Sequence, residues 1–245
     1  MARFRQINRR LDGRFFHDGL YYQRYKDFIA EKLPHCRTVL NLGAGSGLVL
    51  YGSAIFANQD INGRLVVALD LELERLKVNP HPLKMTANAE RLPFRSHSVD
   101  LIISDHVFEH LDNPGAILRE ACRALKPGGS LIFATPNKYY YACLIAAVTP
   151  MSFHKWVAGL LGNPAIEMDL YPTTYKINSI RDITRLCEES GFKIDKILTT
   201  MEAPGYTRFL PPPIHFLFIL FHKLVQSVPF LKPLHSNIVG VITKS

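Results

Sequence analysis

Gly43, Gly45 and Gly47 stand at alternate positions directly behind the apolar run Val39-Leu40-Asn41-Leu42. A glycine carries no Cβ, so a ligand can lie against the backbone of such a turn. The apolar residues that begin at Leu48 predict a helix whose N-terminus points back at it. The chemistry this suits is the holding of a nucleoside cofactor or dinucleotide. Asp70 ends the next apolar run and sets a carboxylate beside the glycine turn, where it can accept both hydroxyls of a ribose. The same Asp70 could serve only as a cap for the helix behind it. The spacing is G-x-G-x-G, not the G-x-G-x-x-G usual for a pyrophosphate, and no lysine is placed for a nucleoside triphosphate. A second polar group, Asp105-His106 and then Glu109-His110, ends a third apolar run. Histidine titrates near neutrality, so His110 is the candidate general base for an oxygen or nitrogen acceptor, and Glu109 can orient a substrate. Equally, His110 can pack against or cap the next helix, and Glu109 can be a solvated acid.

These residues need a scaffold that brings several strand ends to one edge. Buried-strand patterns occur at 38–42, 65–69, 83–86, 99–104, 130–135, 192–198 and 238–242. Helical spacing predicts helices at 21–33, 48–56 and 72–78. A fourth is capped by Asn113 with Pro114 in its first turn, and a fifth runs from a cap at Asn178 to a stop at Gly191. Strands alternating with helices at this spacing mean a parallel sheet with helices on both faces. The chain is expected to be a single domain over 1–245, with an N-terminal cap helix at 19–34 and insertions at 137–177 and 200–236.

The 245 residues are 47% hydrophobic and 20% charged, enough for a sizeable core and against wholesale disorder. The formal net charge is +8, and Arg3, Arg5, Arg9, Arg10 and Arg14 face only Asp12 in the first stretch. That stretch reads as a solvated basic tail or as an attraction to an anionic surface. No aromatic-interleaved basic repeat marks a dedicated nucleic-acid-binding region. Cys36, Cys122, Cys143 and Cys187 form no C-x-x-C pair, so no metal site is expected, and Cys122 and Cys187 fall on apolar helix positions. With no secretory signal and no apolar span of about 20 residues, the expected location is the cytoplasm, with membrane association left open.

Four motifs in register now carry a resemblance. They are Val39-Leu40-Asn41-Leu42-Gly43-Ala44-Gly45-Ser46-Gly47; the strand ending in Asp70; Asn88-Ala89-Glu90-Arg91-Leu92-Pro93-Phe94 before Ser98-Val99-Asp100; and Ile102-Ile103-Ser104-Asp105-His106-Val107-Phe108-Glu109-His110-Leu111 before Leu125-Lys126-Pro127-Gly128-Gly129. The sequence resembles a class I S-adenosylmethionine-dependent methyltransferase of the broad small-molecule kind (methyltransferase type 11-like), over about residues 22–133. The resemblance implies an α/β, Rossmann-like doubly wound sheet, mostly parallel with an antiparallel last strand. It implies S-adenosyl-L-methionine as cofactor. Asn41, Gly43, Ala44, Gly45 and Gly47 would hold its methionine part, Asp70 and Leu71 its ribose side, and Asn88 and Ala89 its adenine, with Asp105 and His106 closing over it. Members of such families mostly carry acids where this chain has Asn41 and Asn88; both amides can still accept hydrogen bonds.

The additions bear on the acceptor. Tyr21 and Tyr22 belong to the helix that, by the resemblance, lies over the cofactor mouth. The first insertion holds Tyr139, Tyr140, Tyr141, Phe153 and Trp156, and a loop adds Tyr171 and Tyr175. Tyr140 and Tyr175 are candidate substrate contacts. The second insertion holds a helix with almost no polar side, around Phe216, Phe218, Phe221 and Leu224. Such a helix is buried, lines an apolar acceptor pocket, or enters a membrane surface, the last helped by His215, His222, Lys223 and the basic first stretch. The expected function is methyl transfer to a small aromatic or lipophilic acceptor, with an oxygen favoured. A non-catalytic cofactor-binding module and a nucleotide-dependent oxidoreductase are the alternatives.

Overall fold

The computed structural model describes residues 2–16, 19–47, 63–150, 152, 159 and 172–245, and the expected helix at 48–56 lies outside them, as do Phe153, Trp156 and Tyr171. Seven strands form one sheet: β1 (Thr38–Leu42), β2 (Leu65–Asp70), β3 (Lys84–Thr86), β4 (Val99–Asp105), β5 (Leu125–Pro136), β6 (Phe192–Thr200) and β7 (Asn237–Lys244). Their order is β3-β2-β1-β4-β5-β7-β6, and β7 runs antiparallel to both β5 and β6 while the other pairs are parallel. The doubly wound sheet with its reversed last strand is therefore present. The parallel strands end at one edge, between β1, β2 and β4, which gathers Asn41, Asp70 and Asp105.

Alternation along the strands assigns the two layers. Val39, Leu101, Ile103 and Ile132 face α2 (Leu20–Lys32), which brings Tyr25, Phe28 and Ile29 onto them. Leu40, Leu42, Ile102, Leu131 and Phe133 face the opposite layer, where α4 (Pro114–Ala124) contributes Ile117, Leu118 and Ala121 and α6 (Ile180–Glu189) contributes Ile183, Leu186 and Cys187. The other α-helices of the described residues are α1 (Ala2–Phe15), α3 (Leu73–Val78), α5 (Tyr141–Val148) and α7 (Pro212–Ser227). Asn113 caps α4 as expected, its side chain accepting from the Ala116 amide at 3.3 Å. The cap of α6 is Ser179, whose Oγ accepts from the Asp182 amide at 3.2 Å. Asn178 is fully buried instead and donates to Thr135 Oγ1 at 2.6 Å, because its position faces the end of β5.

The basic first stretch is not a solvated tail. It is α1, and its one acid is fully buried. Asp12 accepts from Arg208 Nε at 2.6 Å and lies 3.0 Å from His215 Nε2. His215 Nδ1 lies 2.8 Å from the Thr207 hydroxyl, and Asn8 donates to the carbonyls of Arg208 and Leu210. This closed polar network seats α1 on α7, with Phe15 and Phe216 in edge contact beside it. It also turns α7 about its axis: His215, Ile219, His222 and Val225 face inward. The two histidines are thus on the buried side, away from any surface.

Candidate active site

The glycine turn follows β1 with Gly43, Gly45 and Gly47 all at positive φ, 71°, 51° and 67°. The amides of Gly43 and Ala44 both donate to the Leu69 carbonyl, so the turn is anchored on β2. A Cβ on Gly43 would come within 3.1 Å of Val107 Cγ1 and closer still to Cγ2; this glycine makes room for the chain itself. Among the described residues, a Cβ on Gly45 would meet only the Arg75 guanidinium, at 3.6 Å, so those residues leave the backbone open to approach there. Asp70 accepts from the Gly45 amide at 2.7 Å and from the Glu72 amide at 3.0 Å. Asp70 therefore braces the turn and shapes the entry to α3, with its carboxylate at the sheet edge. Leu71 beside it is 69% exposed.

Asn79 was not among the candidates. It is buried and donates to the carbonyls of Ala44 and Gly45 at 3.1 and 2.8 Å, holding the turn from the far side of α3. Asn41 is buried in β1 beside Ala68 and Ile103. Asn88 is exposed and uses its side-chain oxygen on the Glu90 amide, which leaves its amide nitrogen at the rim; Ala89 packs on the core next to it.

At the end of β4, Asp105 is buried, with Oδ1 2.7 Å from His106 Nδ1 and its buried Oδ2 without a partner among the described residues. An orphaned buried carboxylate oxygen is costly, and a cation or hydrogen-bond donor from a ligand would satisfy it. His106 holds a left-handed backbone at φ 54°, rare for a residue with a side chain, and its amide is fixed on the Ala134 carbonyl. Its ring meets the Tyr21 ring edge-on at 5.2 Å. Burial opposes charge on His106, but Asp105, through charge and hydrogen bond, and then Glu109 and Glu202 raise its pKa to about 9. Glu202 holds α2 in place, accepting from the amides of Tyr21 at 2.8 Å and Leu20 at 3.2 Å. Burial raises its carboxyl, against those two amides.

Glu109 is buried and accepts from Thr135 Oγ1 at 3.2 Å, while its carbonyl takes the Thr174 amide. His110 Nδ1 lies 3.0 Å from the Pro172 carbonyl and so donates to it, and its Nε2 lies 4.0 Å from Glu109 Oε1. Its ring tethers the returning chain at 172–175. Tyr175 has a positive φ and its hydroxyl pKa is raised, first by burial and then by Cys143. Tyr22 lies under Lys26, 4.7 Å from its ammonium. Tyr140 is buried, its hydroxyl 3.4 Å from His222 Nε2, so it braces α5 against α7. The structure thus gathers Tyr21, His106, Asp105 and Glu109 at one edge and sets Tyr140 behind them. Among the described residues no group of three or more His, Cys, Asp or Glu could hold a metal ion, and no helix is long and apolar enough to cross a membrane.

Residues 40–133, which span the turn and the edge, match the methyltransferase-domain family. A probable S-adenosylmethionine-dependent methyltransferase of Mycolicibacterium smegmatis is 25% identical over 76% of this chain and 64% of its own. A malonyl-[acyl-carrier protein] O-methyltransferase of a Marinomonas species is 32% identical over 52% of each. The chain spans between half and two thirds of the length of these curated relatives. In fold it is similar to a geranyl diphosphate C-methyltransferase from Streptomyces coelicolor, with a TM-score of 0.55 and 17% identity over 91% of this chain and 81% of that one.

Proposed function

We propose that this chain, whose residues 40–133 match the methyltransferase-domain family, is a class I S-adenosylmethionine-dependent methyltransferase that methylates an oxygen of a small lipophilic acceptor, with His106 as the proton acceptor. The observation that carries the reading is the Asp105–His106 pair at the carboxyl edge, with Asp105 buried, His106 partly exposed and one carboxylate oxygen unspent among the described residues. The residues present fit the cofactor: an open glycine approach at Gly45, a carboxylate at Asp70 and the orphaned Asp105 Oδ2. Asn41, Ala44 and Gly47 would hold its methionine part, Leu71 its ribose side, and Asn88 and Ala89 its adenine. When bound, the cofactor supplies a methyl group already activated on a sulfonium.

What remains for the protein is alignment and one proton. Tyr21, Tyr22 and Tyr175 bound the acceptor. Glu109, held by Thr135 and Thr174, fixes the floor. The Nδ1–H of His106 is spent on Asp105, so its neutral tautomer presents Nε2 as an acceptor, and no bond within the described residues occupies that atom. As the acceptor oxygen attacks, its proton passes to Nε2 and Asp105 stabilises the imidazolium. The relatives support the class: one is named for O-methylation, and a fold neighbour for a lipophilic isoprenoid substrate.

Methyl transfer from radiolabelled cofactor to a panel of phenols, quinols and acids tests the reading. His106→Asn, chosen because asparagine tolerates a left-handed backbone, should lower kcat about a hundredfold or more, while His110→Ala should chiefly disturb the 172–175 loop. With the wild type, kcat/KM should rise with pH towards about 9, where His106 loses its proton. Full turnover in His106→Asn would rule out the proton role.

A further inference from the structure

The fold leaves α7 facing outward with the wrong side for water. Ile214, Leu217, Leu220, Phe221 and Leu224 fall on one stripe, and each is 41 to 63% exposed. The opposite stripe, with both histidines, is buried. The apolar surface continues onto α5, whose Tyr141 ring meets Phe218 and Phe221 at 5.9 and 6.1 Å, and whose Leu144, Ile145 and Val148 are 50, 49 and 83% exposed. Phe230, in the short helix after α7, is 80% exposed.

We propose that this α5–α7 face docks on an anionic phospholipid surface, with the arginines of α1 gripping the headgroups. Charge selects the occupant. Neither α5, α7 nor the Pro229–Leu234 turn contains an acid. On α1, packed beside α7, Arg3, Arg9, Arg10 and Arg14 are exposed, and the single acid Asp12 is buried on Arg208 and His215. An apolar stripe with a purely cationic flank is what an interfacial helix needs. The same flank disfavours a second copy of this chain, because its matching patch would bring more arginines and no exposed acid to answer them. The proposal does not depend on which acceptor is methylated.

Sedimentation with vesicles tests it. The protein should pellet with mixed phosphatidylcholine–phosphatidylglycerol vesicles and weakly with phosphatidylcholine alone. Leu217→Glu with Leu224→Glu, both on the solvent side, should abolish pelleting while the circular dichroism spectrum and melting temperature are kept. Arg9→Gln with Arg10→Gln should weaken binding roughly twenty-five-fold, at about fivefold per charge. Failure of the wild type to bind anionic vesicles, or binding unchanged in the leucine variant, overturns the proposal. So does a dimer in analytical ultracentrifugation that the leucine variant dissolves, since a second copy would then cover the face.

Discussion

Replacing Gly43 by alanine separates two costs that a glycine conceals. The backbone there sits at φ 71°, where a side chain costs about 1–2 kcal/mol. The new methyl also drives into Val107, reaching within 3.1 Å of Cγ1 and closer to Cγ2. Overpacking of this kind costs about 1–3 kcal/mol. Gly43→Ala should therefore lose about 2–5 kcal/mol in urea unfolding, a large share of the roughly 5–15 kcal/mol typical of a domain. Val107→Ala removes both γ-methyls and leaves only the Val107 Cβ, 3.3 Å from the new group. In the double variant the steric part should return and the backbone part should stay, giving a favourable coupling of about 1–3 kcal/mol. Titration calorimetry with S-adenosylmethionine follows cofactor binding in parallel. Strictly additive losses would refute the assignment of this glycine to Val107.

Gly45→Ala should differ in kind: a stability loss of only about 1–2 kcal/mol from its φ of 51°, but cofactor affinity down at least about tenfold by calorimetry, since its open side faces the ligand. Asp12→Ala should cost about 3 kcal/mol by urea unfolding, because it removes the buried acid on which His215 and Arg208 converge; Asp12→Asn should lose less. His222 is held neutral, its pKa lowered from 6.5 to about 4 by burial, with Nδ1–H given to the Glu202 carbonyl. The unfolded chain takes up the proton first, so this contribution is complete above pH 6.5 and is withdrawn as pH falls towards 4. About 3 kcal/mol is at stake, and His222→Asn should flatten that slope in acid unfolding curves.

β2 and β4 were legible because each is a short apolar run that stops at a polar residue, and the stop is where function collects: Asp70 and Asp105. The face of α7 was not legible. Composition says how apolar a helix is, and only long-range partners say which way it turns. Here Asp12 and Glu202 recruit His215 and His222 inward, which leaves leucines outside. For the same reason α1 read as a tail: its buried positions are Asn8 and Asp12, with no apolar period to announce them. At the site, the motifs make His110 the candidate base and set His106 over the cofactor. The left-handed turn at His106 and the tether of His110 to Pro172 separate them, and both depend on residues that arrive later in the chain. Asn79 was hidden likewise, its partners standing 34 and 35 positions away.

The seat of α1 has a consequence for the order of synthesis. Its bonds to Arg208 and His215 join residues 196 and 203 positions apart. A ribosome adding about 5–20 residues per second needs roughly 10–40 s to deliver that second half. Through that interval the α1 helix has its aromatic end, Phe15 and Phe16, and no dock. The nascent chain thus carries a basic, partly apolar segment that closes onto the fold only after nearly every other element exists. A chaperone acting early in translation would find its handle there.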